Sequence, residues 1–301
     1  MNSTINCVSN NVKGLHDKSK RIKMFLYLKD LISNNGFIFL QETHSSAQET
    51  TQWCNDFGSK NIFFSHGTTG ACGVAIGICL NEKFEIKKNI SDLNGRFLIL
   101  ELVIGNNAFI LINLYNANTQ ADQVKTLNEL DAALKDLDLC PSKKIIFGGD
   151  FNVFFDKSLE AKGGNPALKL NSIATFLKFK ESMELIDIWR IRNPPKKRYT
   201  FRQRHFSGFL QRRLDYFFVS SNLQQNIDKA EIANALYTDH SPIIIKISPD
   251  KKANPGPGSW KFNNSLLIDD VFVQKMDETI RNLLIGSDFN PHLKWEYLSI
   301  I

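Results

Sequence analysis

Five short clusters, each setting an acid, an amide or a histidine against an apolar run, constrain this 301-residue chain more than any other feature. An apolar run that stops abruptly at polar residues marks a buried strand reaching the rim of a sheet, where side chains converge over a rigid backbone. Phe37-Ile38-Phe39-Leu40 ends in Gln41-Glu42-Thr43-His44, and Ile145-Ile146-Phe147 opens into Gly148-Gly149-Asp150-Phe151-Asn152. Asp215 lies inside Arg212-Arg213-Leu214-Asp215-Tyr216-Phe217-Phe218, and Thr238-Asp239-His240-Ser241 precedes the run starting at Pro242. The fifth set joins Asn11, in Asn10-Asn11-Val12-Lys13-Gly14-Leu15, with Tyr115, in Asn113-Leu114-Tyr115-Asn116.

Between these clusters, β-rich runs alternate with helical periodicity. Ile5–Ser9 reads as a strand, and Lys20–Ile32 as an amphipathic helix with Ile22, Phe25, Leu26 and Leu28 set among bases. Phe37–Leu40 reads as the next strand, Ser45–Phe57 as a short helix, and Ile62–Ser65 as a strand. Gly73–Leu80, Phe84–Ile90, Arg96–Ile104 and Ala108–Tyr115 are joined by short turn-like links, which predicts an antiparallel meander. Helices are predicted over Asp122–Leu137 and Pro166–Lys180. Strands are predicted over Lys144–Phe147, Arg198–Arg202, Arg213–Val219, Lys229–Ala233 and Pro242–Ile247. The pattern predicts a layered α/β architecture, two mixed β-sheets packed together with helices outside, rather than a doubly wound sheet. No Gly-rich nucleotide loop of either common kind is present. The breaker-rich Asp250–Gly258 predicts the end of the compact domain near residue 248, leaving 249–301 as linker plus a helix over Asp270–Leu284.

Charge is informative only once it is located. The net +6 is concentrated between Arg190 and Arg213, where nine bases stand with no acid, so the remainder is mildly acidic. Clustered bases suit a phosphate backbone, and they equally suit a solvated loop. The cysteines, Cys7, Cys54, Cys72, Cys79 and Cys140, are odd in number and match neither a zinc knuckle nor a redox pair, and read as reduced, mostly buried packing residues. The sequence has no apolar run long enough for a membrane span and no secretory leader pattern, which predicts an intracellular protein with no membrane partner.

The clusters carry recognisable chemistry. Glu42 offers a carboxylate to a hard cation. Asp150 and Asn152 share one face if their segment is extended, with Phe151 anchoring the other, and together suit the orientation and activation of a water molecule. Asp215, costly to bury alone, finds a natural partner in His240, whose imidazolium suits an anionic phosphorane, while Asp239 points the other way and stays free for metal or water. Each cluster also has a bland reading. Asn11 forms a turn, Tyr115 packs in the core, Asp215 pairs with Arg213, or Glu42 caps the following helix.

In this order and with these neighbours, QETH at 41–44, GGDFN at 148–152, RLDYF at 213–217 and TDHSP at 238–242 resemble the endonuclease/exonuclease/phosphatase superfamily, which includes DNase I. The resemblance covers residues 3–247 and implies the DNase I-like four-layer sandwich of two mixed β-sheets flanked by helices. It implies Mg²⁺, with Mn²⁺ as a substitute, held by Glu42 with Asn11 and near Asp239. It further implies water activation by Asp150 with Asn152, a pair of Asp215 with His240, phosphate contact by Tyr115, and 3′-hydroxyl and 5′-phosphate products. Tyr199-Thr200-Phe201-Arg202 and Gly256–Asn263 resemble the LINE (non-LTR retrotransposon) branch, in which the nick primes reverse transcription by another part of the polyprotein. Duplex DNA is the implied partner, with contacts expected from Arg198, Thr200, Arg202, Arg204, His205 and Arg212, and nuclear access follows from that partner. The stretch Gln203–Gln211 occupies the place of a hairpin that meets the minor groove in that branch. Arg212 and Thr238 stand where serines are common there. An abasic-site repair endonuclease and a catalytically silent DNA-binding remnant are the competing functions.

Overall fold

Residues of opposite parity on one strand enter different apolar layers, which is why these strands read as continuous apolar runs and not as alternating ones. Phe37 and Phe39 join one buried cluster while Ile38 and Leu40 join another, and Phe109 and Leu111 divide in the same way from Ile110 and Ile112. The computed structural model describes residues 3–67, 71–137, 142–205, 208–249 and 264–285. The chain divides into two compact units, Met1–Lys251 and Lys252–Ile301.

The first unit holds strands β1 (Ile5–Asn11), β2 (Gly36–Gln41), β3 (Ile62–Ser65), β4 (Val74–Cys79), β5 (Phe84–Ser91), β6 (Phe97–Ile104), β7 (Asn107–Tyr115) and β8 (Lys144–Asp150). They are followed by β9 (Ala161–Lys162), β10 (Leu185–Asp187), β11 (Phe201–His205), β12 (Gly208–Arg212), β13 (Asp215–Ser220), β14 (Ile227–Ile232) and β15 (Ile243–Ile247). Its helices are α1 (Lys18–Leu31), α2 (Thr50–Phe57), α3 (Gln120–Lys135), α4 (Lys157–Glu160), α5 (Leu170–Ser182) and α6 (Ile188–Arg192).

Two six-stranded sheets result, ordered β14-β15-β1-β2-β4-β3 and β10-β13-β8-β7-β6-β5, with a small third sheet β11-β12-β9. Both large sheets are mixed, since β1 with β2 and β7 with β8 run parallel while their other pairs run antiparallel. The layer between them includes Phe39 stacked edge-on to Phe217 at 5.5 Å. Burial of each such side chain stabilises by about 1.5–3 kcal/mol. Met24, Phe25 and Leu28 of α1, with Trp53 and Phe57 of α2, cover the outer face of the first sheet. Leu127, Leu130 and Leu134 of α3, with Phe176 and Phe179 of α5, cover the second. The result is the four-layer arrangement.

Topology then decides where polar residues meet. Because β1 and β2 run parallel, Asn11 pairs with Gln41 at one end, and antiparallel β15 begins there, with Ser9 opposite Ile243. In the other sheet Tyr115 and Asp215 both lie opposite Asp150. The conformational freedom of Gly149 is needed here, since at its φ of 151° a Cβ would lie 2.0 Å from the Leu114 carbonyl.

Four local expectations shift. The meander predicted over four strands holds for β5, β6 and β7 alone, because β4 lies in the other sheet between β2 and β3. The strand predicted at 198–202 runs over Phe201–His205, because Tyr199 and Thr200 are buried beside β13 and are not paired in β11. The short α4, β9, β10 and α6 were not anticipated, since two to five residues carry no readable periodicity. Among the described cysteines only Cys7 is fully buried, and all four are free.

β14 has no strand on its outer side among the described residues. There the Arg192 guanidinium donates to Asp228 O at 2.8 Å and that of Arg198 to Ile232 O at 3.3 Å. In the second unit a 3₁₀ turn, Asn264–Ile268, leads into α7 (Asp270–Ile285). Gly256–Asn263, Phe206 and Cys140 lie outside the described residues. No helix among the described residues is long and apolar enough to cross a membrane.

Candidate active site

Asp150 is the last residue of β8, 1% exposed, and its carboxylate is approached from three sides. The Asn11 Nδ2 donates to its Oδ2 at 2.9 Å and to Glu42 Oε1 at 2.8 Å, so one amide ties carboxylates from both sheets together. The Asn152 N–H donates to Asp150 Oδ1 at 3.0 Å. His240 Nε2 stands 3.9 Å from Asp150 Oδ2, while its Nδ1 meets Asp215 Oδ2 at 2.9 Å. Phe201 packs against the imidazole at 5.0 Å between ring centres.

These contacts set the protonation pattern. Burial, and then the Asp215 charge, push the Asp150 carboxyl up to about 7, against the pull of His240 and Asn11. Burial acts to lower the His240 imidazole, but the Asp215 carboxylate overrides it, with Asp150 and Asp239 assisting, and the ring rises to about 9. His240 is therefore an imidazolium at neutral pH. The Tyr115 hydroxyl, hydrogen-bonded to Glu42, is raised by burial and by that charge, so it stays a neutral donor, with the Arg96 guanidinium 5.0 Å over its ring.

The donor set determines which ion fits. Asp150, Asp215 and His240 bring donor atoms within 4.8 Å of one another. The imidazolium is paired with the Asp215 carboxylate, which leaves the carboxylate oxygens of Glu42 and Asp150, bridged by the Asn11 amide, as the hard donors. Three carboxylates, Glu42, Asp150 and Asp215, against one imidazolium leave two negative charges when all are ionised. Hard oxygens with that excess fit a divalent cation. Glu42 is held at a left-handed φ of 51°, a sparsely occupied conformation for a residue with a side chain, and its carbonyl accepts from Gly14 N at 2.7 Å.

Several sequence expectations are corrected. Asp150 and Asn152 do not share an extended strand: β8 ends at Asp150, Asn152 has φ 50°, and its Nδ2 donates to Asn116 O at 2.8 Å. Asn11 aims its NH₂, not its oxygen, at the carboxylates, because Oδ1 accepts the Lys13 N–H at 3.1 Å. Asp239 is not free, since the Lys13 ammonium lies 2.6 Å from its Oδ2. Asp215 does not pair with Arg213, whose guanidinium bonds Glu160 and Asp187 at 2.6 Å each. Glu42 caps no helix; the helix begins at Thr50.

Part of the basic segment is bonded to the protein's own groups, while Arg192, Lys196, Lys197, Arg202 and Arg204 lie exposed. Thr200 is fully buried, and its hydroxyl accepts the N–H groups of Leu214 and Asp215 at 2.9 and 3.1 Å, which makes it a support for Asp215 and not a surface contact. Arg212 donates to the carbonyls of Lys162 and Gly163, and Arg198 to Ile232 O and Asn234 Oδ1. Arg202 and Arg204 remain exposed on β11, which His205 closes. Phe209, opposite Arg204, is 63% exposed. Sequence reasoning missed Arg96 and Lys169, whose ammonium donates to Asn152 O at 2.8 Å. It also missed the Gln41–Asn113 bridge beneath the site, at 2.7 Å. The amide directly before Glu42 was its one sign in the sequence.

A family model described as Endonuclease/Exonuclease/phosphatase family matches residues 11–240. The chain is 28% identical over 244 residues to the "Transposon TX1 uncharacterized 149 kDa protein" of Xenopus laevis, covering 81% of this chain and 18% of that protein. It thus spans less than a fifth of that relative. It is 25% identical over 259 residues to an exodeoxyribonuclease of Bacillus subtilis (strain 168), covering 80% of this chain and 98% of that enzyme. Among solved structures, the AP endonuclease LMAP from Leishmania major superposes with a TM-score of 0.65 at 19% identity, over 82% of this chain and 89% of that one. An AP endonuclease from Archaeoglobus fulgidus gives 0.63 at 19% identity, over 80% and 98%. At that identity the likeness carries the fold.

Proposed function

The chain belongs to the Endonuclease/Exonuclease/phosphatase family, and on that premise we propose that it is a Mg²⁺-dependent endonuclease that nicks duplex DNA. The observation that carries the proposal is the convergence of Asp150, the Asp215–His240 pair and Glu42 at one end of both sheets. Glu42 would hold the ion, with Mn²⁺ as a substitute, and Asn11 fixes Glu42 relative to Asp150. When bound, the ion supplies charge stabilisation to the scissile phosphate and to the departing 3′ oxygen.

Asp150, its pKa raised into the neutral range by burial and Asp215, takes a proton from the water that attacks phosphorus. Asn152 holds that carboxylate by its backbone N–H. The His240 imidazolium, kept charged and oriented by Asp215, donates through Nε2 to a non-bridging phosphate oxygen. Tyr115 donates from the Glu42 side. The P–O3′ bond breaks with its electron pair going to the 3′ oxygen, which takes a proton from solvent water, leaving a 3′-hydroxyl and a 5′-phosphate. Arg202, Arg204 and Phe209, on one exposed face of the β11–β12 hairpin, suit the DNA backbone and a groove edge.

The similarity to a transposon protein supports placing this activity in a LINE-type polyprotein, residues 1–248 being the nuclease and 249–301 leading toward a reverse transcriptase that uses the nick as primer, with access to nuclear DNA. A second reading, an abasic-site endonuclease, is favoured by coverage of nearly the whole Bacillus exodeoxyribonuclease and by the AP endonuclease folds. The test is relaxation of supercoiled plasmid by the full chain with Mg²⁺ or EDTA, alongside His240→Ala and an abasic duplex. Metal-dependent nicking of intact DNA, lost in the variant, supports the first reading. Cleavage confined to abasic DNA supports the second, and no cleavage by a folded, DNA-binding protein rejects both.

A further inference from the structure

Around the acidic site, most cations are already committed. The Lys20 ammonium donates to the carbonyls of Val12, Lys13 and Gly14 at 2.9, 3.0 and 2.8 Å. Lys169 is held by Asn118 O and Asn152 O, both at 2.8 Å, and His240 is held by Asp215. Lys13 differs from these. Its backbone is pinned by the contact of its carbonyl with Lys20, by its own N–H to Asn11 Oδ1, and by a left-handed φ of 49°. Its side chain, 62% exposed, makes an ion pair with Asp239 at 2.6 Å.

That placement is specific. Thr238 Oγ donates to Asn11 O at 3.0 Å, and Asn10 Nδ2 to His240 O at 3.3 Å, so the Asn11–Gly14 loop and the Thr238–His240 loop are stitched side by side. Lys13 therefore carries an exposed ammonium on a fixed anchor beside both the Asn11–Glu42 contact and His240. An exposed ion pair is weakly held, so leaving Asp239 for a phosphate oxygen costs little.

We infer that Lys13 is a phosphate-binding residue of the cleft, resting on Asp239 in the free protein and passing to a non-bridging oxygen of a DNA phosphate when the substrate binds. Asp239 is then the resting counterion of Lys13. This rests on the nuclease reading of the same site. The exchange moves no covalent bond: one ion pair opens, and the phosphate sheds its condensed counterion.

The test uses the full chain and a fluorescent duplex in EDTA, so that no metal or turnover enters the readout. Association constants are measured across salt concentration for the wild type, Lys13→Met and Lys13→Arg, with melting temperatures as a check on folding. Lys13→Met should flatten the plot of log association constant against log salt by roughly 0.9, the contribution of one phosphate contact, and Lys13→Arg should restore it. Asp239→Asn should tighten binding, and adding Lys13→Met to it should remove that gain. An unchanged slope in a folded Lys13→Met, with the wild type binding and nicking normally, overturns this inference alone. A wild type with no salt-dependent binding to duplex DNA overturns it together with the nuclease reading.

Discussion

Two ionic clusters lie two residues apart at the start of β13, and they are built on opposite principles. Arg213 and Arg190 face Glu160 and Asp187, two cations against two anions, with Glu160 also accepting the Tyr216 hydroxyl at 3.1 Å and the Phe155 N–H at 2.8 Å. The Arg213 guanidinium lies between Trp189 and Tyr216, at 4.7 and 4.3 Å. This cluster is balanced within itself. Around Asp150 the carboxylates outnumber the imidazolium, and burial pushes one of them toward neutrality. Balanced buried charge fixes a backbone; unbalanced buried charge waits for a ligand.

The sharpest way to break this contrast is Asp150→Asn. Nicking should fall by roughly 10²–10⁴-fold, the usual weight of a general base, while urea denaturation shows stability unchanged or improved. A loss of stability matching the loss of rate would mean that the Asp150 cluster also holds the fold. Arg213→Met tests the other cluster. It should cost about 3–5 kcal/mol in urea unfolding, because Glu160 and Asp187 are left buried without their cation. A cost under about 1 kcal/mol would equate Arg213 with a surface pair and dissolve the distinction.

Ion binding sharpens the comparison further. Mg²⁺ at a hundredfold excess over its dissociation constant should stabilise the wild type by about 2.7 kcal/mol, and Glu42→Ala should abolish that gain while Arg213→Met leaves it in place. The smallest effect falls on the residue between the clusters. Thr200→Val leaves the N–H groups of Leu214 and Asp215 without their acceptor, which should cost about 1–3 kcal/mol and lower kcat, with duplex affinity unchanged in a binding titration. Weakened affinity at full stability would return Thr200 to the DNA surface.

The balanced cluster was the part the sequence concealed. Strand ends carrying Glu42, Asp150 and His240 were legible because a buried strand gives up its apolar character only where it reaches the sheet rim, and acids and amides gathered there need a ligand or one another. The two-layer reading followed from the same runs. Glu160 and Asp187 gave no such sign, since they stand in α4 and β10, elements too short for periodicity and held by tertiary contacts with Arg213. The nine-base segment was readable as charge but not as destination. Where a guanidinium points depends on which carbonyls the fold leaves open, and for Arg198 and Arg212 these proved to be the protein's own. Backbone conformation was likewise out of reach at Asn152, where a left-handed turn replaces the expected strand.

The two arginines laid along β14 have a consequence for handling the protein. An open strand edge is a template onto which a second chain can add, the first step toward fibrils and insoluble assemblies. With Asp228 O and Ile232 O already occupied, that template is interrupted at both ends of the strand. Stripping charge from this segment to reduce non-specific DNA affinity would therefore also uncover Asp228 O and Ile232 O on the open edge of β14.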